Sequence, residues 1–135
     1  MTKKEHTGIF ILRVSLGILM LLHGIAKIMH PDSVGYISGV FSEAGLHAAL
    51  AYLVYVGEVV APIMLIIGWR TRIAALLIAG TMLVVAVLAM PEDAGKLTAT
   101  GAWGLETQAL FFFGSVALMF TGGSKYALSQ RSKWD

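Results

Sequence analysis

The chain has 135 residues, of which 57% are hydrophobic and 13% charged, with a formal charge of +2 and no cysteine. An average soluble domain is about 25% charged, so this composition excludes most soluble classes, and the small, scattered charge excludes a nucleic-acid surface. The missing cysteine removes disulfides, a Cys-x-x-Cys redox pair, an iron–sulfur cluster held by this chain and a thiolate zinc site, so any redox role must borrow its redox centre.

The apolar residues come in long blocks with short polar connections, the pattern of one membrane domain over residues 1–135. The N-terminal MTKKEHT is followed by an apolar stretch too long for a signal peptide and interrupted by Arg13, so an uncleaved helix is expected. That first block, residues 8–29, would rise about 33 Å as a helix, enough for a hydrocarbon core of roughly 30 Å. It carries Arg13, His23 and Lys27, which fall within an arc of roughly 80° at about 100° per residue. Met20 lies inside that arc and Gly17 and Gly24 border it, which marks the inner wall of a bundle that a neighbouring backbone can approach closely.

The connection over residues 30–47 is too polar to span, but Ile37, Val40 and Phe41 recur at helical spacing, which fits either a short interfacial helix capping the bundle's outer mouth or a plain connector with one apolar side. The second block, residues 48–68, has Glu58 near its middle and Pro62 four residues on. Proline frees the carbonyl of Glu58 and favours a kink there. The third block, residues 73–90, is uncharged, with a stripe of Ala75, Ala79, Ala86 and Ala89 suited to close packing. The fourth, residues 103–121, has Glu106 near its start, followed by bulky Leu110, Phe111, Phe112 and Phe113.

Lys3, Lys4, Arg70, Arg72, Lys125, Arg131 and Lys133 all fall on one side of a four-span arrangement, while Asp32, Glu43, Glu92 and Asp93 face Lys96 alone on the other. Lys and Arg stay cytoplasmic, so the expected fold is an all-α four-transmembrane-helix bundle with both termini in the cytoplasm. Helix rise puts Arg13 about 8 Å above the cytoplasmic boundary, Glu58 about 15 Å, His23 and Glu106 about 22 Å and Lys27 about 28 Å. Because an unpaired charge at mid-membrane costs about 2.5–3.5 kcal/mol on the insertion scale, pairing is expected: Arg13 with Glu58 and Lys27 with Glu106, with His23 between. Such pairs either fix helix packing or, around His23 and Glu58, hold a polar ligand or relay a proton. No metal centre is expected, since His6, His30 and His47 lie outside the spans and no second histidine stands level with His23 to share a haem.

These residues resemble the DoxX-like family of small bacterial and archaeal membrane proteins. The likeness is carried by Arg13, Gly17, His23, Gly24 and Lys27 in the first block, by Glu58 followed by G-W-R-T-R at residues 68–72, by W-G-L-E ending in Glu106, and by G-G-S-K-Y-A-L-S at residues 122–129. Ser124 stands where the family usually has Gly, and Ser129 where it has Asp. The resemblance implies a four-helix protein of the cytoplasmic (inner) membrane, in a family whose members include subunits of a thiosulfate:quinone oxidoreductase and components linked to oxidative-stress complexes. Three functions follow as alternatives. In the first, a quinone headgroup is bound by His23, with Glu58 or Glu106 relaying protons, Arg13 and Lys27 tuning the carboxylates, and a protein partner supplying the redox centre. The second is an interaction scaffold locked by ion pairs. The third is binding or transport of a small solute, which a homo-oligomer would assist.

Overall fold

A computed structural model describes residues 1–135, and it is helical, with one isolated bridge between Leu97 and Trp103 and no strand. Helix α1 spans Lys3–Met29. Its start is fixed by a capping box: the Thr2 hydroxyl accepts from the Glu5 N–H at 3.2 Å and the Glu5 carboxylate accepts from the Thr2 N–H at 2.6 Å. It ends one residue before the His30-Pro31 step, where proline disfavours a helical predecessor.

The connection that follows forms α2, Asp32–Glu43, whose Val34, Ile37 and Phe41 are buried while Val40 is only half-buried. Its Ser38 hydroxyl donates to the Ala48 carbonyl at 3.1 Å and its Tyr36 hydroxyl to that of Ala89 at 3.3 Å. The helix is thus fastened across the start of α3 and the end of α4.

Helix α3, Ala48–Ile67, opens with a 3-10 turn over Ala48–Tyr52 and widens into a π-turn over Val56–Val60. The Ala61 N–H reaches five residues back to Val56, one position before Pro62, whose nitrogen has no proton for Glu58. The helix closes on Gly68 at φ +76, with the N–H groups of Gly68 and Trp69 turned back onto Leu65 and Met64 in a Schellman motif. Helix α4, Thr71–Ala89, also ends in a π-turn, Val85–Ala89, before Pro91. Helix α5, Glu106–Thr121, begins three residues later than the block expected from Trp103, because Trp103 is held in the bridge to Leu97 and its indole donates to the Ala94 carbonyl.

Helices α1, α3 and α4 are each long and apolar enough to cross a membrane. The main core joins Leu16 and Met20 of α1 to Met64 and Leu65 of α3, Ala75 and Ile78 of α4, and Leu118 of α5. Of the expected alanine stripe, Ala75 and Ala79 are buried, whereas Ala86 and Ala89, in the π-turn that ends α4, are only half-buried. The outer faces carry exposed Ile11, Ile18, Leu22, Leu110, Phe113 and Phe120, a surface that suits lipid and would be a liability in water. Residues 122–135 fold back beneath the α3–α4 turn, where the N–H groups of Leu128 and Ser129 donate to the carbonyls of Ile67 and Gly68.

Candidate functional site

Where α1 crosses α3, the contact is backbone on backbone. A Cβ on Gly24 would collide with the carbonyl of Glu58, and one on Gly17 would come within 3.0 Å of the carbonyl of Pro62. This closeness brings the next turn of α1 over the side chain of Glu58. The Lys27 ammonium donates to its carboxylate at 2.6 Å, with the Glu58 side chain 3% exposed and that of Lys27 21%. The Tyr55 hydroxyl, one turn before Glu58, donates to the Lys27 carbonyl at 3.4 Å. A buried carboxylate is thus neutralised by a cation that keeps an edge at the protein surface.

Arg13 does not pair with Glu58. Its guanidinium donates to the carbonyls of Leu65 and Ile66, the latter at 2.9 Å, and to that of Tyr126 at 3.4 Å, with the Phe10 ring 5.5 Å away. The expected pairing assumed that the two helices end at one level. Instead, the first turns of α1 project past the end of α3, so Arg13 meets α3 about 10 Å of helix rise beyond Glu58. There the last carbonyls of α3 carry the partial negative charge of a helix C-terminus, which draws a cation.

The expected pair of Lys27 with Glu106 does not form either. Glu106 is exposed, at the first position of α5, and makes no ion pair. The buried residues of α5 are Phe111, Ser115 and Leu118, which lie roughly 120–180° around the helix from Glu106. His23 also stands on the surface, its ring edge-on to Phe111 with centroids 5.5 Å apart. The buried stripe of α1 comprises Arg13, Leu16, Gly17, Met20 and Gly24, and His23 falls about 20° outside it, on the α5 side. Of the five ionisable residues expected in a common interior, Arg13 and Glu58 are buried, Lys27 is half-buried, and His23 and Glu106 are not enclosed.

Two contributors escaped sequence reasoning. Tyr55 was open to discovery, since a residue three positions before Glu58 shares its face of the helix. The carbonyls that receive Arg13 were not, because a backbone acceptor leaves no trace in residue type. No cluster of His, Cys, Asp and Glu suited to a metal is present.

The stretch of this chain that is similar to known proteins includes the site. The family profile described as DoxX matches residues 8–91, the part that holds Arg13, His23, Lys27 and Glu58. An "Uncharacterized membrane protein Rv3486" of Mycobacterium tuberculosis is 30% identical over 133 residues, covering 92% of this chain and 80% of that protein. A Bacillus subtilis protein named "Putative oxidoreductase CatD" is 30% identical over 128 residues, covering 95% of this chain and 89% of that protein. No solved structure matches. A profile spanning most of the chain, together with two relatives aligned over nearly all of it, makes this protein a member of the DoxX family of membrane proteins.

Proposed function

We propose that this protein is a multi-pass subunit of the cytoplasmic membrane of a bacterium or archaeon, with α5 as a fourth span and both termini in the cytoplasm. In this reading it binds the polar headgroup of a lipid-soluble quinone at the Lys27–Glu58 pair and depends on a partner protein for its redox centre. The observation that carries the reading is a carboxylate buried within a membrane-length helix and neutralised by a cation that still reaches the surface. Lys27 and His23 stand one turn apart on α1, so both can offer N–H donors to a carbonyl ligand arriving sideways from the bilayer. The exposure of His23, unexpected for a closed interior, suits such lateral arrival. Glu58 would hold Lys27 in place and take up or release a proton beside it, and Glu106 would serve at the outer rim. The name of the Bacillus subtilis relative agrees with a redox association.

The test is lipid extraction of the purified protein followed by mass spectrometry, with thermal stability measured against added short-chain quinone. A bound quinone, and a rise in melting temperature that His23→Ala and Lys27→Met reduce, supports the reading. No quinone and no shift removes it.

A second reading, a scaffold locked by its charges, draws on the tight seat of Gly24 against the Glu58 backbone. Exchanging the two charges, as Lys27→Glu with Glu58→Lys, separates the readings. A scaffold recovers folding and partner recruitment together, whereas a ligand site recovers folding only.

A further inference from the structure

A cavity of about 530 Å³ lies between α2, α3 and α4, separate from the Lys27–Glu58 pair. Its wall at Gly57 belongs to α3, but Glu58, the next residue, turns toward α1. The back of the cavity is buried, formed by Ile37 and Phe41 of α2 with Ala51 and Val54 of α3. Its mouth is ringed by Leu50, Leu53 and Val56 of α3 and by Leu76 and Val84 of α4, all exposed on helices of membrane-spanning length. The opening therefore faces sideways, toward lipid.

Thr81 is the one hydroxyl-bearing residue in the lining, and its hydroxyl is already committed to the Leu77 carbonyl at 2.8 Å. No side-chain donor is left to recognise a polar ligand. An apolar cavity of about 150 Å³ is enough to stay dry and bind benzene, so one several times larger has room for a long hydrocarbon. Both π-turns border it, through Val56 and Gly57 on one side and Val85 and Leu88 on the other, and π-turns in helices frequently mark functional sites. A site that selects on apolar shape alone is filled by whatever hydrocarbon is in greatest excess, which in a bilayer is lipid acyl chain.

We propose that this cavity holds one acyl chain of a membrane phospholipid, admitted between α3 and α4 and covered at its outer end by α2. Gly80 offers the test, because it lines the cavity and a Cβ there meets nothing within 4 Å. The full chain is purified in mild detergent, and retained lipid is read by native mass spectrometry for the wild type, Gly80→Ala and Gly80→Leu. Retention of phospholipid is expected to fall in that order, at least five-fold for Gly80→Leu. On the wild-type protein, a phospholipid with a diazirine in its acyl chain is expected to cross-link to residues such as Leu50, Val54 and Val84, which keeps the test independent of variant folding. Retention unchanged in a folded Gly80→Leu, cross-links confined to other surfaces, or a prenyl quinone as the molecule that Gly80→Leu expels would each overturn the proposal.

Discussion

Lys27 and Glu58 meet across 2.6 Å where Gly24, one turn earlier on α1, rests on the backbone of Glu58 itself. One residue of α3 thus supplies both the seat for the helix crossing and the countercharge for the cation that the crossing delivers. The two roles respond differently to substitution, and each gives a prediction.

Removing one partner leaves the other as an uncompensated charge. Lys27→Met should cost about 3 kcal/mol, the low end for breaking a buried pair because Lys27 retains some exposure. The double variant Lys27→Met/Glu58→Leu should regain at least half of that loss, since two apolar groups of similar volume need no pairing. Equilibrium unfolding in detergent measures both. A double variant no more stable than the single one would mean that the pair is not the unit of interaction.

Gly24→Ala acts on the backbone seat instead. A methyl group there drives into the Glu58 carbonyl, and separating the helices should cost about 1–3 kcal/mol. Gly8→Ala is the matched control, as nothing lies within 4 Å of its Cβ and alanine gains about 1 kcal/mol of helix propensity over glycine. Opposite shifts in melting temperature are expected, and equal shifts would deny the close crossing.

The sequence made the helices legible and the partners much less so. Helices α1, α3 and α4 announce themselves because each is long and apolar enough to cross a bilayer. The spacing of Ile37 and Phe41 disclosed α2, since both do turn inward. Pro62 pointed to the irregularity at Glu58, because a missing N–H must be accommodated within one turn. Pairing failed for two physical reasons. The level at which a charge sits depends on how far one helix slides past another, which only packing fixes. For Arg13, the carbonyls at the end of α3 serve as acceptors in place of a carboxylate, and a carbonyl leaves no mark in residue type. His23 shows a third limit: an arc of ionisable residues need not centre on the buried stripe, and a difference of about 20° puts an imidazole outside.

Arg13 joins α1, the end of α3 and the returning tail through three carbonyls. Arg13→Lys keeps the charge but loses the planar fork that serves several acceptors at once. A loss of about 2 kcal/mol is expected, the scale of one hydrogen bond to a charged group. Faster proteolysis within residues 122–135 should accompany it. A tail as protected as in the wild type would show that Arg13 does not hold it.

Ser124 adopts φ +67, in the left-handed region that glycine enters most readily. For a residue with a Cβ that conformation costs about 1–2 kcal/mol, partly offset in the glycine variant by greater freedom of the unfolded chain. Ser124→Gly should therefore stabilise the protein by about 0.5 kcal/mol, and Ser124→Val, stiff and branched, should destabilise it. A destabilised glycine variant would assign more to the 3.4 Å contact from the Tyr126 N–H to the serine hydroxyl than that geometry suggests.

The tail should also respond to acid. Burial pushes the Asp135 carboxyl up, but the Ser132 N–H, the Ser129 hydroxyl, the Arg70 guanidinium and the Arg131 N–H outweigh it and hold the group below its ordinary value. Its folded-state pKa is thus lower than its unfolded one. The sign follows: Asp135 favours the docked tail fully above the unfolded carboxylate pKa of about 3.9, and that contribution disappears as pH falls through the lower, folded value. Amide exchange at Arg72, whose N–H donates to the Trp134 carbonyl, should be slow at pH 5 and accelerate relative to the core amides as pH drops toward 3. Asp135→Asn should flatten that change by loosening the tail at both pH values. Exchange at Arg72 that tracks the core amides through the whole range would show that the tail is docked without help from this carboxylate.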